Sequence, residues 1–183
     1  MTTRYKNWIK NAETPDEKDF FVLPDDGKEK RKEALINLGF CFLFIALLVA
    51  AGLVNQSSSR TAWIFYPYIV LFLPAVYFAF GAFAFASLVF LRKSGSLSRK
   101  EWEKSLARCK HSGGALLVLS GINALLEIVF IVLHRNGGIM RDIVYLGVLL
   151  VLVVCSVLYG VFFDRNFSKP TADKRLCAGS ADA

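Results

Sequence analysis

Charged side chains are missing from long stretches of this chain. Four runs of about 20 residues or more lack Lys, Arg and Asp altogether: Ala34 to Val54, Thr61 to Leu91, Ser112 to Leu133 and Ile143 to Phe163. A chain of 183 residues is long enough for one soluble domain, but such runs leave no place for the polar face that a soluble helix needs. Each is long enough to cross a hydrocarbon core of about 30 Å at about 1.5 Å per residue. Histidine is nearly absent, with two residues, and the four cysteines form no CxxC and no His/Cys cluster. Zinc sites, disulfide frameworks and dithiol relays therefore lose their sequence support. No glycine-rich phosphate loop with its lysine is present, which sets aside a nucleotide-driven pump. No cofactor is expected.

What is present agrees with lipid as the solvent: 55% of residues are apolar and 16 are phenylalanine. The expected fold is an all-α membrane protein with four transmembrane helices in an antiparallel bundle and a short amphipathic cytoplasmic helix between the second and third. The chain divides into a cytoplasmic N-terminal segment over residues 1–33, spans over 34–54, 61–91, 112–133 and 143–163, a loop over 92–111 that carries the amphipathic helix, and a polar tail over 164–183. More than 30 largely polar residues precede the first run, unlike the short leader of a signal peptide, so that run is expected to be a retained helix. Asn37 lies near its cytoplasmic end, where water is expected to reach it. The net charge is +7, which alone would allow a nucleic-acid partner, but no binding motif accompanies it. Its distribution points elsewhere. Nineteen of the 22 Lys and Arg fall before the first span, between the second and third, or after the fourth, against three in the other two loops. The positive-inside rule places both termini in the cytoplasm of a multi-pass protein of the plasma or inner membrane.

Outside the spans, Tyr5, Trp8 and Ile9 fall on one edge among basic residues, which fits either a short interfacial helix or a disordered tail. Phe20 to Leu23 form a brief apolar patch before Pro24. Ser98 and Glu101 make a capping box, so a helix is expected from there. Trp102, Leu106 and Cys109 line its apolar face, suited to the inner leaflet or to the cytoplasmic end of the bundle, and Gly113-Gly114 offers a corner into the third span. Within the second span, Pro74 removes an N–H and crowds the carbonyl of Val70, so a kink is expected there. Trp63, Tyr66 and Tyr68 suit headgroup depth.

The costly residues lie in the third span. Ser120, Asn123, Glu127 and His134 share one helical face, and a charged acid near the membrane centre costs about 2.5 to 3.5 kcal/mol, so that face should meet protein or water. Tyr77, Pro74 with the freed Val70 carbonyl, and Tyr145 are the candidate partners. One role is hydrogen-bonding glue within the bundle or an oligomer. Another is a proton- or cation-coupling carboxylate in a small transporter, with Asn123 and Ser120 as neutral ligands. A catalytic acid would need a second group within hydrogen-bond range, and His134 is too far along the helix. The chain is therefore read as non-enzymatic: an interaction or accessory subunit of a membrane complex, or alternatively a transporter, oligomeric in that case, that couples through Glu127. The partners implied are the lipid bilayer and either a second copy or a larger membrane protein, not nucleic acid.

Overall fold

A computed structural model describes residues 8–10, 19–22, 27–54, 57–91, 96–133 and 139–167. Four helical stretches are long and apolar enough to cross a membrane: Lys30–Leu53, Ala62–Leu91, Glu103–Leu133 and Met140–Phe167. Three short strands, β1 (Trp8–Lys10), β2 (Asp19–Val22) and β3 (Ser96–Ser98), lie outside these spans and pair antiparallel in the order β1-β2-β3. Trp8 stands opposite Phe21, which in turn stands opposite Leu97. Trp8–Lys10 is thus neither helix nor free tail, and Tyr5 lies outside the described residues. β1 pairs with a strand from later in the chain, and Phe20–Val22 belong to that central strand.

The helices are α1 (Gly27–Leu53), α2 (Ala62–Val70), α3 (Phe72–Leu91), α4 (Arg99–Trp102), α5 (Arg108–Leu133) and α6 (Ile139–Phe167). A 3-10 turn at Ser57–Arg60 precedes α2. Packing runs in a ring, α1 on α3, α3 on α5, α5 on α6, and α6 back on α1. In each member the buried residues recur at intervals of three and four: Ala34, Asn37, Cys41, Phe44, Leu48 and Ala51 in α1, and Asp142, Tyr145, Leu149, Leu152, Ser156, Tyr159 and Phe163 in α6. That spacing keeps one seam of a helix facing its neighbours over many turns. The opposite faces carry apolar side chains such as Phe42, Phe80, Leu125 and Val154 at the surface, the inverse of a soluble bundle and suited to lipid.

Pro74 acts as its chemistry requires. The second span is interrupted at Leu71, which ends α2 and starts α3, and the Leu71 N–H closes a tight turn onto the Tyr68 carbonyl at 3.1 Å. The residue four before the proline is Val70, the last of α2, so the break sits where the missing N–H puts it.

The expected corner at Gly113-Gly114 is not there. The helix continues from α4 through one wide π turn, Glu103–Ala107, into α5 and on to Leu133. Gly113 is helical because a ring needs its space: a Cβ there would lie 2.8 Å from Tyr159 Cδ1. Gly81 on α3 serves the π turn in the same way, since a Cβ would lie 2.8 Å from the Ser105 carbonyl oxygen. The face of Leu106 and Cys109 is fully buried against α3 and is continuous with the third span; Trp102 is half-buried with its ring 6.5 Å from Phe163. No separate interfacial helix precedes the span among the described residues, because the π turn lets this segment pack inward.

Candidate functional site

Polar side chains are buried at both ends of the bundle, with different outcomes. At the α4 end, Asn37 sits on the α1 seam and is fully buried. Its amide donates to the Glu33 carbonyl at 3.0 Å, and its Oδ1 accepts from the Tyr159 hydroxyl of α6 at 3.0 Å. The Cys109 thiol donates to the Phe78 carbonyl at 3.7 Å. Around them Tyr159 meets Phe78 at 4.8 Å and Phe40 at 5.2 Å, while Phe44 meets Phe78 at 5.2 Å, all edge-on. Edge-to-face rings at these separations are attractive beyond their buried area. The result is a satisfied polar pair inside a closed aromatic layer. Asn37 is therefore not reached by water, as its place near the end of the span suggests; the Tyr159 hydroxyl takes that role.

The end that carries the Ser57–Arg60 turn is different. Glu127 of α5 is 0% exposed, and neither carboxyl oxygen has a hydrogen-bond partner. The Ser58 hydroxyl and the Asp142 carboxylate both act on it, although no hydrogen bond of ordinary geometry joins Ser58 to it. Tyr145, one turn along α6 from Asp142, is 0% exposed, lies within the field of Glu127, and has a hydroxyl without a partner. Ser58 is equally buried and its hydroxyl equally unpartnered. Four oxygens from α5, α6 and the turn thus converge on one buried region with no hydrogen bonds to satisfy them. Such groups are rare in folded proteins because each carries a desolvation cost of about 1 to 3 kcal/mol or more. The walls are apolar, with Trp63 6.3 Å from Phe130 and Tyr68 6.2 Å from Tyr145, ring to ring.

The stripe read from the sequence is partly brought together. Ser120, Asn123 and Glu127 all lie buried on the inward seam of α5; His134 lies outside the described residues. Ser120 bonds back to the Leu117 carbonyl at 3.2 Å, and the Asn123 amide to the Leu119 carbonyl at 3.0 Å, leaving Asn123 Oδ1 unpartnered. Of the candidate partners, Tyr145 reaches the cluster. Tyr77 does not: it is 56% exposed on the outside of α3, with the Arg108 guanidinium 4.7 Å above its ring. Its ring lies at the level of Arg108, 15 residues before Asn123, so neither its depth nor its side of the helix suits the stripe, and a cation stacked on an aromatic face accounts for where it points. Pro74 contributes through the break at Leu71, which ends α2, the helix that packs on α5 beside the cluster. Tyr68, expected at headgroup depth, instead turns inward and donates to the Leu48 carbonyl at 2.8 Å.

Two members of the cluster escape a reading of the sequence. Asp142 is 4% exposed at the start of α6, so the fourth helix does carry a buried charge; Asp142 and Tyr145, three residues apart, share a face, and that spacing is the available signal. Ser58 is one serine in the polar stretch NQSSSR, and nothing local separates it from its neighbours. Among the described residues no group of three or more His, Cys, Asp or Glu is placed to hold a metal ion. Comparison with family models, with curated proteins and with solved structures gives no match for this chain.

Proposed function

We propose that this chain is a non-enzymatic interaction or accessory subunit of a membrane complex, its four spans antiparallel and both termini cytoplasmic. The observation that supports an accessory role is the aromatic layer of Phe44, Phe78, Tyr159 and Phe163, fully buried and interlocked at the α4 end. The unpartnered oxygens of Glu127, Ser58 and Tyr145 lie at the other end, so a solute entering beside Glu127 meets packed rings before it reaches the opposite side. A carrier needs a polar site that both faces can reach in turn. Contact with other proteins needs only the apolar exterior, on which Gly39, Gly114, Gly147 and Gly160 present exposed backbone with open space beside it; such positions let a neighbouring helix approach closely.

The unpartnered Glu127 carboxyl favours the second role, proton- or cation-coupled transport by an oligomer. Gentle-detergent purification separates the two. A larger membrane protein recovered in fixed ratio with this chain supports the accessory role. A homodimer without other components, whose substrate flux in liposomes stops in Glu127→Gln, supports transport and sinks it.

A further inference from the structure

We propose that Glu127, Ser58 and Tyr145 form a binding site for one small hard cation, with both Glu127 carboxyl oxygens and the two hydroxyl oxygens as its protein ligands. This holds whether the chain is an accessory subunit or a transporter.

The donor set decides the chemistry. Every unpartnered group in the cluster is an oxygen, and no imidazole or thiol accompanies them in the described cluster. Oxygen-only sets select sodium-, magnesium- or calcium-like ions over softer metals. Three separate elements supply the ligands, which is how a site encloses an ion: Glu127 from the last two turns of α5, Tyr145 from α6, and Ser58 from the turn that packs on both α2 and α6. Two of the ligands are neutral hydroxyls that are fully buried and unpartnered, an observation separate from the acidic residues. The Asp142 carboxylate, buried nearby, adds negative field.

A proton on Glu127 accounts for less. It adds one donor, which can satisfy one further oxygen and leaves the rest of the set without a partner. An ion takes all four oxygens at once, each at about 2.3 to 2.6 Å from it. A buried carboxylate also needs a compensating charge to be tolerated in an apolar surround.

The test uses the full chain purified in detergent at constant ionic strength, titrated separately with NaCl, MgCl2 and CaCl2 against choline chloride. Thermal unfolding gives one readout. Fluorescence of Trp63, in a background where Trp8 and Trp102 are Phe, gives a local one, because Trp63 packs on Phe130 one turn from Glu127. At least one of the three cations should raise the unfolding midpoint by several degrees and change Trp63 emission, with saturation. Glu127→Gln should abolish both responses, and Tyr145→Phe should weaken apparent affinity roughly tenfold or more. Ser156→Ala, a buried serine of α6 bonded to its own backbone, should respond as the parent does. If Glu127→Gln does not fold, the Tyr145→Phe shift decides. A parent indifferent to all three cations overturns the proposal, as does a response that survives Glu127→Gln, or one that follows pH alone.

Discussion

Gly113 and Gly114 are neighbours in α5 with opposite surroundings. A Cβ on Gly113 would lie 2.8 and 3.0 Å from two carbons of the Tyr159 ring, whereas nothing lies within 4 Å of one on Gly114. The Tyr159 ring cannot step aside, held by its hydrogen bond to Asn37 and by Phe78 at 4.8 Å. Gly113→Ala should therefore destabilise the protein by about 1 to 3 kcal/mol, as overpacking does, while Gly114→Ala should be neutral or stabilising by up to about 1 kcal/mol from helix propensity. Thermal unfolding of the two variants in one detergent checks this, and equal midpoints would refute it. Residues of this kind mark the limit of legibility. Glu127 stands out in the sequence because a carboxyl in an apolar run is costly wherever the run packs. Asn37 and Tyr159 do not, because their bond joins residues 122 apart and each is ordinary in its own helix. Asp142 is hidden by its position: an aspartate ends an apolar run when runs are counted by charge, so it reads as a boundary and not as a member of the seam.

At the scale of elements, local chemistry is readable and tertiary compensation is not. Four spans follow from run length, and the break at Leu71 follows from the proline three residues on. The continuous α4–α5 segment does not follow, because two adjacent glycines in a helix cost about 1 kcal/mol each and only the Tyr159 ring explains why that cost is accepted at Gly113. The strands are equally hidden, since Trp8, Phe21 and Leu97 meet across most of the first half of the chain. Pro74→Ala tests what is readable. An alanine restores the N–H opposite the Val70 carbonyl and removes the ring clash, so α2 and α3 should merge into one straighter helix. Spin labels at Arg60→Cys and Leu91→Cys, both exposed positions flanking the break, should move apart by several ångströms in the Pro74→Ala background. The same straightening would swing Trp63 away from Phe130 and disturb the Glu127 cluster. An unchanged distance would mean that packing against α1 and α5, rather than the proline, sets the bend.

For the whole molecule, the uneven spread of positive charge and the helix ring make one joint claim. Glu127, Asp142 and Ser58 meet at one end, whereas Asn37, Tyr159 and Trp102 lie toward the other. In the sequence, Arg60, Arg135 and Arg141 are the Lys and Arg that fall between the spans joined at the first end, and the other 19 fall in the remaining segments. If the positive-inside rule governs insertion, the acidic cluster lies toward the outside of the cell and the aromatic layer toward the cytoplasm. Single cysteines in a cysteine-free background report this directly. Arg60→Cys should react with a membrane-impermeant maleimide on intact cells, and Lys104→Cys only after the membrane is opened. The reverse pattern would turn the cation site toward the cytoplasm, where sodium and calcium are scarce and magnesium is not. The same labelling experiment therefore also decides which ion would occupy the Glu127 site in the cell: in the orientation argued here, sodium or calcium reaches it from outside without crossing the aromatic layer.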